Sequence, residues 1–217
     1  PQLPKLGEDR AEVQRIRVRY QKKGLACFLS HLELQLAFQR AVKRAGIPIA
    51  FSRAFHSHPR LIFGPPLQLG IESDCELVDL FLEEACEPAS ILERLGTVLP
   101  AGICVGDAFE VPLKAKPVQA LIKSASYRAI LTQIPDRLNL PGSWQEAKVE
   151  RLRAGRDASI PLKNYVSSVS LDGQDLQFTI KYDENGSSLR PLEVLQALTG
   201  SNGNQSTLRK TDCILGQ

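Results

Sequence analysis

The sequence predicts an α+β fold of two tandem βαββαβ units, on three observations. Segments of apolar period two and period 3.6 follow one another in the order strand, helix, strand, strand, helix, strand. The same order recurs more faintly in the second half of the chain. Pro88 and Pro191 occupy equivalent places, each opening the second helix of its half, where a fixed φ suits the first helical turn. The order is that of the ferredoxin-like sandwich, two helices on one sheet. At 217 residues the chain has room for two units of about 100 residues each. The expected boundaries are a linker over 1–11, a first unit over 12–113, a linker over 114–118, and a second, more divergent unit over 119–217.

From Arg15 to Tyr20 basic and apolar residues alternate, which predicts a strand with one basic face. Ser30 followed by Glu33 is a capping box. Leu34, Ala37, Phe38, Ala41 and Ala45 then recur at helical spacing until Gly46 and Pro48 end the helix. Short extended runs are expected over 49–52, 61–63 and 67–71, the last two flanking Gly64-Pro65-Pro66, where proline interrupts a ladder. A strand over 76–83, a helix from Pro88 with Ile91, Leu92, Leu95, Val98 and Leu99 buried, and a strand over 103–111 complete the first half. The second half reads as a strand over 127–132, a short helix over 143–149, and a hairpin of 165–171 and 176–182 across Asp172-Gly173. A helix from Pro191 and a strand over 207–215 follow.

Composition narrows the function classes. No apolar run of about 18 residues is present, so no membrane span is expected. Five irregularly spaced cysteines without a C-x-x-C fit a reducing, cytoplasmic setting and no zinc ribbon. The chain starts at Pro1 and contains no methionine, which points to a piece of a longer polypeptide. Residues 1–60 carry twelve Lys/Arg against four Asp/Glu, and residues 61–113 carry one against ten. Such blocks either pair as neighbouring elements or leave one basic and one acidic face.

No phosphate loop, dinucleotide fingerprint, nucleophile elbow or iron–sulfur spacing is present, so no catalytic residue and no metal site is assigned to this chain. Of three histidines, His56 and His58 alternate in one loop, and His31 opens a helix, where the dipole favours a neutral imidazole able to act as a general base. In a two-layer sandwich Ile16, Val18 and Tyr20 face the helices, which turns Arg15, Arg17 and Arg19 to the open side. Lys22 and Lys23 extend the patch. An arginine row suits RNA phosphates. The alternative is an internal role, the row meeting the acidic strand of 72–84 or the second unit.

Several segments together resemble the radical SAM-linked domain of unknown function. They are Phe28-Leu29-Ser30-His31-Leu32-Glu33-Leu34, the helix end Arg40-Ala41 with Arg44-Ala45-Gly46-Ile47-Pro48, the loop Phe51 to Arg60, and Gly64 to Ser73. Ala54 and Ser57 stand where that family tends to have Gly and Pro. The resemblance implies a domain fused or encoded beside a cobalamin-type radical SAM protein. It implies no cofactor in this chain, with a 4Fe-4S cluster, S-adenosylmethionine and cobalamin in the partner. It also marks His31, Arg53, His56, His58 and Arg60 as a functional corner. The expected role is a non-catalytic accessory domain that contacts RNA or a ribonucleoprotein. The alternatives are a metal-independent endoribonuclease of the architecture of the CRISPR-associated RAMP endoribonucleases, with His31 or His58 as general base and a nearby arginine steadying the phosphorane, and a structural domain docked on the radical SAM core.

Overall fold

The computed structural model describes residues 11–52, 57–132, 143–153, 156–200 and 205–216. The fold is α+β, and the chain forms two compact units. The first comprises Pro1–Pro66 and Glu76–Val118, the second Leu67–Cys75 and Gln119–Gln217. The short segment 67–75, expected in the first unit, therefore belongs with the second.

The first unit runs β1 (Gln14–Lys22), a 3₁₀ turn (Gly24–Phe28), α1 (His31–Arg44), β2 (Leu61–Phe63), most of β3 (Glu72–Leu82), α2 (Pro88–Gly96) and β4 (Ile103–Val111). Its strands lie in the order β4-β1-β3-β2. β1 pairs antiparallel with β4, and β2 with β3, Phe63 opposite Val78. The expected stripes close the core: Ile16, Val18 and Tyr20 meet Val78, Leu80 and Leu82, with Phe38, Ala41 and Val42 of α1 and Ile91 and Leu95 of α2 packed on them. Ser30 caps α1 as its spacing predicts. The Ser30 side chain accepts from the Glu33 backbone N–H, and the Glu33 carboxylate accepts from the Ser30 N–H at 2.8 Å. At the other end Arg94, the single cation of the acidic block, donates to the carbonyls of Ala45 and Gly46. A helix ends with unpaired carbonyls, and a guanidinium is a fitting partner for them.

The second unit contains β5 (Ile122–Leu131), which follows the single-turn α3 (Val118–Leu121), then β6 (Lys148–Arg153), β7 (Arg156–Pro161), β8 (Val166–Asp172), β9 (Asp175–Lys181), α4 (Pro191–Thr199) and β10 (Gln205–Leu215). Its sheet runs β10-β5-β9-β8, and Glu72 and Ser73 at the start of β3 add in parallel to Arg209 and Lys210 of β10. Tyr127, Phe178, Leu195 and Leu198 anchor its core, and Ile71 joins them.

Three expectations are corrected. Residues 143–149 are not a helix: a 3₁₀ turn over Trp144–Glu146 leads into β6, which pairs with β7 in a separate two-stranded sheet. Lys148-Val149-Glu150-Arg151 alternates with period two, and only Val149 among the first three is buried. The run 49–52 is reduced to two isolated bridges, Ile49 to Leu82 and Phe51 to Pro59, because Pro48 and Pro59 offer no ladder donors. Residues 67–71 are not extended, since Gly70 turns the chain at φ +79°.

Candidate functional site

The two faces of β1 carry the residues that the sequence singles out, and each face is built by pairing with β3. On the side away from the helices, Arg15 and Arg17 converge on Asp79. Arg15 donates to Asp79 Oδ2 through Nη2 at 2.5 Å and Nε at 3.2 Å. Arg17 donates through Nε to Oδ1 at 2.7 Å and through Nη2 to Oδ2 at 3.0 Å. The remaining Arg15 donors reach backbone carbonyls of the segment after β4: Leu113, Ala115 at 2.6 Å and Lys116 at 3.1 Å. Arg15 also lies 5.0 Å from the Phe81 ring centroid, and Arg60 lies over the same ring at 4.2 Å while pairing with Glu12.

This arrangement corrects the expectation of an open arginine face. Arg15 and Arg17 are 2% and 4% exposed and Asp79 is fully buried. The segment predicted as a linker folds over the row and satisfies it. Two cations on one carboxylate leave an excess positive charge, which the carbonyl dipoles of residues 113–116 offset. Of the row only Arg19 is exposed, and Lys23 is half-buried.

The helix-facing side ends in a second polar group. Lys22, 2% exposed, donates from Nζ to the Leu29 carbonyl at 2.8 Å. It therefore does not extend a surface patch. Burial lowers its pKa, opposed by the charges of Glu76, Cys27 and Glu33. His31 packs edge-on against Phe63, with ring centroids 5.8 Å apart, and its Nε2 lies 3.0 Å from Gln35 Nε2. Its pKa is lowered first by burial and then by the Lys22 ammonium, with Glu76 opposing. Burial and Lys22 thus favour the neutral imidazole, the form that the helix N-terminus also favours.

The histidine result has a pH consequence. With the folded imidazole's pKa lowered and the unfolded one near 6.5, the unfolded chain takes up the proton first. Stability is therefore expected to rise with pH up to about 6.5 and to fall on acidification below it. Urea midpoints of the wild type between pH 5 and 8, minus those of His31→Gln, should isolate this slope. An identical profile in both proteins would rule it out.

Among the described residues of the functional corner, His31 and Arg60 are not brought together. Arg53 and His56 lie outside the described residues. His58 is exposed, and its backbone N–H and carbonyl pair with Ser52. Arg60 stacks on Phe81, whereas Glu76 belongs to the His31 and Lys22 group. Phe81 and Glu76 are five residues apart on one strand, about 16 Å, and on opposite faces. His31 is thus separated from Arg15, Arg17 and Arg60. Among the described residues no cluster of three or more His, Cys, Asp or Glu is placed to hold a metal ion.

The alternative reading, the arginine row meeting the acidic strand of 72–84, is the one the structure shows, although Asp79 was not singled out within that strand. Sequence reasoning missed the carbonyls of 113–116. It also missed the outer face of α1, where Leu32 and Leu36 fall off the buried stripe. Their position was legible, since neither shares the spacing of Leu34, Phe38 and Ala41.

These features define a two-unit α+β protein whose strongest charges hold its own fold together. The chain belongs to the family described as "Uncharacterized protein conserved in bacteria (DUF2344)", whose model matches residues 15–207. No curated protein matches it.

Proposed function

We propose that this chain is a non-catalytic accessory domain of, or partner to, a cobalamin-type radical SAM protein, and that it holds a macromolecule for that partner. The cluster, the S-adenosylmethionine and the cobalamin belong to the partner, and the setting is cytoplasmic. Both units are read as ferredoxin-like. The strand orders β4-β1-β3-β2 and β10-β5-β9-β8 support that reading, with the β6–β7 hairpin standing in the place of the first helix of the second unit.

One observation carries the choice of a binding role over an endoribonuclease with His31 as base: His31 and the guanidinium groups of Arg15 and Arg17 lie on opposite faces of the β1–β3 pair. A general base and the cation that steadies a phosphorane must reach one phosphate, within hydrogen-bond distance of it. Here the arginines are committed to Asp79 and the imidazole to Phe63 and Gln35. RNA as the macromolecule would rest on Arg19 and Lys23 from the original row.

The test pairs two measurements on the full chain. Co-expression with the radical SAM protein encoded beside it should give one complex in gel filtration. Incubation of the chain alone with single-stranded RNA should leave the RNA intact. RNA cleavage lost in His31→Ala or in His58→Ala would replace this reading with the nuclease. A salt slope of roughly −0.7 per phosphate contact that weakens in Arg19→Ala/Lys23→Ala would make RNA the macromolecule.

A further inference from the structure

α1 has two apolar faces, and only one of them is used. Leu34, Phe38, Ala41 and Val42 are buried in the first unit. Leu32 and Leu36, one turn apart on another face, are 70% and 47% exposed. In the 3₁₀ turn just before α1, Leu25 is 88% and Phe28 66% exposed. Continuing from Leu36 in steps of three and four come Arg40 and Lys43, with Arg44 beside them, all exposed and in no ion pair with a described residue. Single exposed leucines are ordinary, but two on one helix face that continue into a cationic file, with two more large exposed apolar side chains in the turn just before, mark a contact surface. The last-turn cations also complement the helix dipole.

We propose that the outer face of α1 and the turn before it dock an amphipathic segment of a protein partner. That segment is apolar where it meets Phe28, Leu32 and Leu36 and carries carboxylates where it meets Arg40, Lys43 and Arg44. Charge complementarity selects this occupant. The face from Leu32 to Arg44 is about 18 Å long, the length of a helix of about twelve residues, so an acidic-ended helix laid along it satisfies both halves. Nucleic acid fits less well, because three of the four apolar side chains are aliphatic and offer no ring for a base to stack on. A membrane surface fits less well too. A single file of side chains on a helix whose other face is committed to a core presents no broad apolar face to bury.

The proposal rests on the reading of the chain as a binding module and names its protein-facing surface. The probe is a fluorescein-labelled helical peptide of about fourteen residues, with leucines at i, i+3 and i+4 in its first half and glutamates in its second. It is titrated into the full chain by fluorescence anisotropy. Binding should be saturable, weaken with salt, and drop about tenfold or more in Leu32→Glu/Leu36→Glu. Arg40→Ala/Lys43→Ala should remove most of the salt dependence, and a peptide with lysines in place of the glutamates should bind at least tenfold more weakly. All changed positions are exposed, and circular dichroism verifies that the variants fold.

Peptide binding that is absent, or equal in wild type and both variants, overturns the proposal. So does preferential binding to single-stranded RNA or to phosphatidylserine vesicles that the same leucine changes abolish. Failure here leaves the accessory role standing if the chain still co-elutes with the radical SAM protein, so the two readings fail separately.

Discussion

Asp79→Ala is expected to destabilise the first unit by about 3–5 kcal/mol, enough to unfold a marginal domain. Both Arg15 and Arg17 lie on that carboxylate, and none of the three side chains is more than 5% exposed. Removing the anion leaves two guanidinium groups in a site that water does not reach. Most of the penalty is the uncompensated charge and not the lost attraction. A second variant separates those terms. Arg15→Met/Arg17→Met/Asp79→Leu removes all the charges together and should recover most of the loss, because apolar packing of similar volume often matches a buried ion network. Trp144 reports on the second unit, so the readout for the first is hydrogen exchange of the β1 amides. Exchange in Asp79→Ala as slow as in the wild type would refute the buried network. The same physics bears on RNA work: alanine at Arg15 and Arg17 tests folding before it tests phosphate binding.

Phe38→Ala should destabilise the first unit by a similar amount, about 3–5 kcal/mol. Phe38 is fully buried and meets Tyr20 at 5.0 Å and Phe63 at 5.3 Å between ring centroids, both edge-on. Three rings from β1, α1 and β2 thus share one contact. Removing the middle ring takes away its transfer free energy and leaves a cavity that two strands and a helix cannot easily close. Phe38→Leu, which keeps most of the volume, should lose well under half as much. Equal losses in the two variants would mean that the site is not packed as described. Because Phe63 also meets His31, Phe38→Ala is further expected to disturb the His31 environment, visible as a shifted imidazole resonance.

The sequence was most legible where local chemistry decides the structure. Ser30 with Glu33, the proline at the head of α2 and of α4, and the Asp172-Gly173 turn each specify a boundary within a few residues, and each is found where expected. Gly173 adopts φ +56°, a conformation that glycine enters without strain. What was not legible depends on residues far apart in the chain. Arg15 and Arg17 face away from the helices, but alternation cannot say that Asp79, more than sixty residues on, stands opposite them. Nor can it say that backbone carbonyls of residues 113–116 cover the row. The error at 143–149 has another origin. A buried tryptophan before a short charged alternation satisfies helix and strand templates equally over so few residues, and pairing with β7 decides between them.

β3 begins in one unit and ends in the other: Glu72–Cys75 belong with the second, Glu76–Leu82 with the first. The connection between the units is therefore interleaved and not sequential. No single cut of the polypeptide, at residue 118 or elsewhere, yields both units whole. A piece beginning at Gln119 would lack Ile71 from its core and the Glu72–Ser73 partner of Arg209 and Lys210, exposing a length of strand edge prone to self-association. Inheritance faces the same restriction. Recombination at one crossover between relatives cannot exchange the second unit without carrying part of the first with it.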